Sequence, residues 1–321
     1  MADSRPLLSR INDSAPLPAH LHDAILALGN FDGFHLGHQA VASRAIEWAR
    51  AEGRPAIIAT FDPHPVRLFK PETPPFRLTT LDQRERLFAK AGADAMMVFN
   101  FNPELAAKSA EEFVSTLANR IGAAGVVTGE DFTFGKGRSG TVARLKELGA
   151  AMGMRAEAVA SVADESGEPV SSSRIRDALR AGDCATATRL LTRPFAIEGV
   201  VQHGAKLGRT LDFPTANMTL GSYLRPAYGV YAVRGRLPDG RLVDGVANLG
   251  IRPMFDPPKE LLETYFFDCA EDLYDQTIEV QLIAHLRPEA KYDGLNALKA
   301  QIARDCEAAR HILAQTPRLS S

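Results

Sequence analysis

Short apolar runs alternate with amphipathic stretches through the first half of the chain. The runs Ala24 to Leu28 (AILAL), Ala56 to Thr60 (AIIAT), Ala95 to Phe99 (AMMVF), Gly125 to Val127 (GVV) and Ala156 to Val162 (AEAVASV) are each short enough for a buried strand. Between them, His38 to Arg50, Asp82 to Lys90, Ala110 to Arg120 and Thr141 to Met152 carry apolar residues at three- and four-residue steps, the spacing of one helix face. Ser109, followed by Glu111 and Glu112, gives the third of these a capped, acidic first turn. Strands alternating with helices predict an α/β domain built on a parallel sheet. Ligands in such a sheet sit beyond the carboxyl ends of the strands, so the loops after Leu28, Thr60 and Val127 are expected at one mouth.

The pattern changes near Phe195. Phe195 to Val201, Gly229 to Arg234, Asp244 to Asn248, Leu262 to Asp268 and Thr277 to His285 read as short strands, and Leu237 to Gly240 (LPDG) as a hairpin turn. A small antiparallel β-barrel is expected. One helix closes the chain, roughly Leu295 to Ile312, with Leu295, Leu298, Ile302, Ala309 and Ile312 on a face that covers the barrel. The linker is expected near Gly182 to Pro194.

Composition adds limits. At 321 residues the chain is long enough for two domains, and 45% apolar with 24% charged residues is ordinary globular usage. A net charge of -2 provides no global positive field for a nucleic acid or an anionic membrane, so neither is expected as a partner. Cys184, Cys269 and Cys306 are widely spaced with no CxxC pair, which reads as reduced thiols in a cytoplasmic protein. No apolar run approaches the span of a bilayer, and the charged, proline-bearing start is unlike a signal peptide.

The densest chemistry follows the first strand, in Gly29, Asn30, Phe31, Asp32, Gly33, Phe34, His35, Leu36, Gly37 and His38. Two imidazoles three residues apart at a helix N-terminus can face an anion that also meets the unpaired backbone N–H groups there. Gly29, Gly33 and Gly37 let the backbone approach it. Such donors suit the charge that gathers on non-bridging oxygens when a triphosphate is attacked at its α-phosphorus. Zinc is not indicated, since no i,i+4 histidine pair with a third ligand is present. Gly129 to Gly137 (GEDFTFGKG) is not a Walker A loop, because Gly137 stands where Ser or Thr must follow Lys136.

The segment GNFDGFHLGH resembles the HxGH signature of nucleotidyltransferases in the form used by the bacterial bifunctional riboflavin kinase and FAD synthetase family. Thr60 to Pro65 (TFDPHP), Phe101 to Val114, Gly129 to Gly137 and Ser171 to Arg176 (SSSRIR) match in order. The resemblance implies a Rossmann-like nucleotidyltransferase domain over residues 1–184, the FMN adenylyltransferase, with His35 and His38 catalytic. It implies flavin or nucleotide contacts at Gly29, Asn30, Phe31, Asp32, Gly33, Asp62, Pro63 and Asp131, and phosphate contacts at Ser171, Ser172 and Arg176.

Gly199 to Asn217 (GVVQHGAKLGRTLDFPTAN) is similar to the riboflavin kinase signature, which implies a kinase domain over residues 185–321. The same resemblance implies that Gly208 and Arg209 bind ATP or flavin, that Thr215 and Asn217 help hold Mg²⁺ on ATP, and that Glu263 is the general base. Riboflavin, FMN, FAD and ATP would then be substrates and products. Asn248 to Phe255 (NLGIRPMF) and Asp272 to Tyr274 continue the match. Four residues depart from the family pattern: Asp212 and Asp275 where Gly is usual, Met254 where Thr is usual and Tyr265 where His is common. A FAD synthetase with a degenerate kinase half, or a flavin-binding sensor or carrier without turnover, therefore remain alternatives. Oligomeric state is not expected to be legible.

Overall fold

The computed structural model describes residues 8–203, 213–252, 259–269 and 271–318. Within them the chain forms two compact units, Met1–Pro74 with Thr80–Ser171, and Pro75–Thr79 with Ser172–Ser321.

In the first unit, β1 (Ser9–Asn12), β2 (Ile25–Leu28), β3 (Ala56–Asp62), β4 (Ala95–Asn100), β5 (Gly125–Gly129) and β6 (Arg155–Val159) form one parallel sheet in the order β1-β4-β3-β2-β5-β6. Every residue of β2 is buried, as is nearly all of β3, because these inner strands are covered on both faces. Alternate residues feed two cores. Leu26, Leu28, Ile57, Met97, Phe99 and Val126 pack on one face with Phe113 of α5 (Ala110–Ser115) and Leu145 of α6 (Val142–Ala151). Ile25, Ala27, Ile58, Met96, Val98 and Val127 pack on the other with α1 (Leu36–Ala51) and with Phe88 of α3 (Leu81–Ala91). Short helices α2 (Pro65–Phe69) and α4 (Pro103–Ala107) follow β3 and β4. The expected cap of α5 is present: Ser109 Oγ accepts from the Glu112 N–H, and Glu112 accepts from the Ser109 N–H. Its helix is α-helical only to Ser115 and continues as a π-helical turn, Thr116–Arg120.

The second unit opens with α7 (Ser172–Arg180) and α8 (Cys184–Leu191). The stretch expected to be a linker is therefore mostly helix. Asp183 caps it by accepting from the Thr186 N–H at 2.9 Å, and Cys184, Ala187, Leu190 and Leu191 are buried at helical spacing. Strands β7 (Phe195–Val200), β8 (Ala216–Thr219), β9 (Gly229–Arg236), β10 (Leu242–Arg252), β11 (Lys259–Phe266) and β12 (Thr277–Arg287) make an antiparallel sheet in the order β7-β12-β9-β10-β11-β8. A bridge between Gln202 and Asn217 brings its two edges together, leaving a nearly closed barrel. The LPDG turn joins β9 to β10, with Gly240 at φ 86°.

The closing helix α9 (Leu295–Gln315) does cover the barrel, but over a shorter face than expected. Leu295 is exposed, and Ala309 and Leu313 make the contact with Val230, Ala232 and Val246. Arg234 of β9 fastens its end: buried, it donates to the carbonyls of Leu313, Thr316 and Pro317 at 2.6 to 2.8 Å and pairs with Asp244 at 3.1 Å. Leu313 O is one of the last-turn carbonyls that a helix leaves without an i+4 donor, and Thr316 and Pro317 carry the chain just past it. No helix among the described residues is long and apolar enough to cross a membrane. Arg234→Met should lower the stability of the second unit by about 3 kcal/mol, read as an earlier denaturant midpoint for the barrel transition. An unchanged midpoint would show that α9 is held by its apolar contacts alone.

Candidate functional site

The carboxyl edge of the parallel sheet carries the first cluster. β3 and β4 lie on one side of β2, β5 and β6 on the other, so the strand order reverses beside β2. Loops leaving β2, β3 and β5 meet at this switch point, where α/β sheets hold ligands.

The β2 loop is tightly fastened. Gly29 N–H donates to Ala59 O at 3.2 Å. The carbonyl of Asn30 accepts from Thr60 Oγ1 at 2.7 Å and from Arg84 Nη1 at 3.3 Å, and Arg84 also donates to that hydroxyl at 3.0 Å. Arg84, only 1% exposed, reaches this position from α3. Phe31 and Phe34 have φ of 48° and 44°, a left-handed conformation costing bulky residues about 1–3 kcal/mol each. Their buried rings meet the Phe88 ring edge-on, with centroids 5.8 and 5.0 Å away. Burying two such rings, with about 0.5–1.5 kcal/mol per aromatic pair beyond area, offsets the strain. Asp32 is buried between them in sequence, and Gly33 takes φ 88°.

This fastening ends at the two histidines. His35 caps α1, its Nδ1 accepting from the His38 N–H at 3.4 Å, so a neutral His35 carries its proton on Nε2. The His38 ring stacks on it, centroids 3.6 Å apart and planes 19° apart. Phe31 meets the other side of the arrangement, edge-on to His38 at 5.3 Å. A Cβ at Gly37 would come within 3.3 Å of His35 Cε1, tight enough that the ring would have to shift by a few tenths of an ångström. A helix cap and a paired-imidazole site are thus the same object here.

The flanking loops carry the other expected residues. Asp62 ends β3, its peptide to Pro63 is cis, and its carbonyl accepts from the Phe101 N–H at 3.2 Å. Asp131 lies just past β5. Beyond it, Phe134 and Gly140 exchange backbone hydrogen bonds at 2.8 and 3.1 Å, an antiparallel bridge rather than a P-loop. Ser171 closes the first unit, whereas Ser172 and Arg176 belong to α7 of the second. Arg176 Nε donates to Phe76 O at 2.9 Å, with its guanidinium 5.1 Å from the Phe76 ring centroid.

In the barrel, strand register makes the second cluster. Asn217 of β8 pairs with Glu263 of β11, and Glu263 pairs with Asn248 of β10. Residues directly opposite across antiparallel strands share a face, so the three stand in one row. Asn217 Oδ1 and Asn248 Oδ1 are buried with no hydrogen-bond partner among the described residues. Thr215 precedes β8 by one residue. Gly208, Arg209, Asp212 and Met254 lie outside the described residues. Tyr265 packs edge-on between Phe213 and Phe267, at 5.3 and 5.9 Å. Asp275 takes φ 61°, the conformation that suits glycine, with its carboxylate 3.5 Å from His203 Nε2.

Sequence reasoning gave no role to Arg84 or Asn248. Arg84 was detectable as a cation on the apolar face of α3, four residues before Phe88. Asn248 opens the NLGIRPMF segment, but its place beside Glu263 becomes visible only through register.

Comparison with known proteins matches a family model to each half of the chain. The FAD synthetase family model matches residues 17–174 and the riboflavin kinase family model residues 191–313. A bifunctional riboflavin kinase/FMN adenylyltransferase of Escherichia coli K12 is 38% identical over 293 residues, 91% of this chain and 93% of that one. Its counterpart in Pseudomonas fluorescens is 40% identical over 299 residues, 92% and 95% of the two chains. This chain belongs to the bifunctional riboflavin kinase/FMN adenylyltransferase family.

Both halves of the bifunctional enzyme are present, which supports that reading over a FAD synthetase alone or a flavin carrier. The fold is shared along its length with a Streptococcus pneumoniae crystal structure described as a macrolide-efflux protein. That likeness has a TM-score of 0.84 and 30% identity, covering 95% of this chain and 99% of that one. In the bifunctional enzyme, Phe88→Ala removes the ring on which Phe31 and Phe34 rest. It should cost about 3–5 kcal/mol in unfolding of the first unit, measured with denaturant. A loss below about 0.5 kcal/mol, the size of an ordinary surface change, would mean that Phe88 does not support the loop.

Proposed function

We propose that the two activities of this enzyme divide between the two clusters, adenylyl transfer at the stacked histidines and phosphoryl transfer at the barrel row. The observation that carries the first assignment is the stack of His35 and His38 at the N-terminus of α1. In FAD formation a phosphate oxygen of FMN bonds to the α-phosphorus of ATP, the α–β bridging P–O bond breaks, and pyrophosphate leaves. Charge rises on the non-bridging oxygens of the α-phosphorus, and the imidazole N–H groups with the helix's free backbone N–H groups stabilise it. No covalent enzyme intermediate is needed. Gly29, Asn30, Phe31, Asp32 and Gly33 form the held backbone beside those phosphates. Asp62, Pro63 and Asp131, on loops to either side, are suited to flavin or nucleotide contacts.

In FMN formation, Glu263 takes the proton of the riboflavin 5′-hydroxyl, whose oxygen bonds to the γ-phosphorus as the β–γ bridging bond breaks and ADP leaves. Phosphoryl transfer of this kind depends mainly on positioning and charge neutralisation. The buried Oδ1 of Asn217, with no hydrogen-bond partner among the described residues, fits an oxygen-preferring cation, and Thr215 supplies a second neutral oxygen. Thr215 and Asn217 would hold Mg²⁺, which when bound neutralises charge on the ATP phosphates. The free thiols of Cys184, Cys269 and Cys306 suit a cytoplasmic setting.

His38→Ala should slow FAD formation from FMN by about 10²–10³ and leave FMN formation from riboflavin within about twofold. Glu263→Gln should do the reverse, by about 10²–10⁴. Chromatography of the flavins after incubation with ATP and Mg²⁺ reads both reactions at once. Equal loss of both in either variant would sink the division.

A further inference from the structure

The row across the barrel does not stop at the carboxylate. Register places Asn217, Glu263, Asn248 and then Val230 on neighbouring strands β8, β11, β10 and β9. Val230 belongs to the apolar cluster under α9, so the polar part of the row ends at Asn248. Neighbours across strands stand about 5 Å apart, which sets two amides on opposite sides of Glu263 with about 10 Å between them. Each amide has a buried carbonyl oxygen with no partner among the described residues. Leaving such an acceptor unsatisfied costs about 1–3 kcal/mol, a cost that a ligand's donor removes.

The order of the row gives the two amides different ligands. In-line displacement puts the phosphoryl donor on one side of the attacking oxygen and the carbon that bears that oxygen on the other. With Asn217 on the phosphate side of Glu263, Asn248 lies on the side of the acceptor's carbon chain. That chain is a polyol, and its secondary hydroxyls are donors of the kind a lone carbonyl oxygen takes. We propose that Asn248 is a specificity residue of the kinase reaction. Its Oδ1 accepts a hydrogen bond from a secondary hydroxyl of the acceptor, beside the primary hydroxyl that Glu263 deprotonates. The inference rests on the roles given above to Glu263 and Asn217.

The test compares riboflavin with a flavin whose N10 chain is a plain 5-hydroxypentyl group, keeping the primary hydroxyl and lacking the secondary ones. With the unaltered full-length enzyme, the KM for this analogue should exceed that for riboflavin by about tenfold or more, since a site built to accept a hydroxyl donor rejects a ligand without it. Asn248→Ala should raise the KM for riboflavin by a similar factor, leave the KM for ATP within about twofold, and leave the KM for the analogue nearly unchanged. Equal KM values for the two acceptors in the unaltered enzyme would overturn the proposal, whether or not the variant folds. So would an Asn248→Ala variant that penalises both acceptors alike or weakens ATP to the same degree. Failure of the underlying reading looks different: Glu263→Gln would keep full kinase activity while the unaltered enzyme still discriminated between the two acceptors.

Discussion

The first half of this enzyme depends on holding a loop in a conformation that its own residues resist. Two phenylalanines sit at positive φ within four residues, next to the stacked histidines His35 and His38. Within the loop the Phe34 N–H donates to Phe31 O at 3.1 Å, and the remaining support comes from farther away. The conformation persists because Phe31 and Phe34 are buried on Phe88, while Arg84 and Thr60 bind the one carbonyl between Gly29 and Phe31. The supports come from α3 and β3, elements remote in sequence and rigid in the sheet. A loop fastened in this way holds its imidazoles in place without a ligand, and the adenylyl transfer proposed above would need such preorganised donors for a short-lived charge.

The barrel reaches a comparable result by other means. Its site is specified by strand pairing, so a slip of one residue in β11 would turn Glu263 to the opposite face and bring Thr264 into the row. Buried packing on both sides of the sheet guards against such a slip: Leu262 lies inside, Val246 and Tyr265 lie toward α9, and Arg234 fixes the end of that helix. The acceptor oxygens of Asn217 and Asn248 are therefore held apart at a distance set by the backbone. Precision comes from the ladder in one half and from aromatic anchoring in the other.

What was legible in the sequence follows from this difference. The parallel strands were readable because strands buried on both faces are continuous apolar runs, and the HxGH-like loop was readable because its parts are contiguous. β1 escaped notice because an edge strand of four residues buries only Ile11. β8 escaped because Ala216–Thr219 lies within a motif that looks like turn material, and α8 because its small and β-branched residues resemble a linker. The face of α9 differs too: apolar spacing identifies a stripe, but only its C-terminal part, around Ala309, Ile312 and Leu313, packs on the barrel. Arg84 meets a partner 54 positions away and Asn248 stands opposite one 15 positions away; the NLGIRPMF segment marks Asn248 but not its neighbour.

The departures from the family pattern can now be weighed by conformation rather than by identity alone. Asp275 stands where glycine is usual, and the backbone there does take φ 61°. Aspartate is among the non-glycine residues that tolerate this region best, and its exposed carboxylate finds His203, whose ring stacks on Tyr274 at 4.1 Å. The turn keeps its shape, with the Asp275 N–H donating to Val201 O at 2.9 Å. Tyr265 likewise fits between two aromatic rings on the strand that carries Glu263. Both side chains are accommodated where they stand, so neither is a structural reason for the barrel to have lost its reaction.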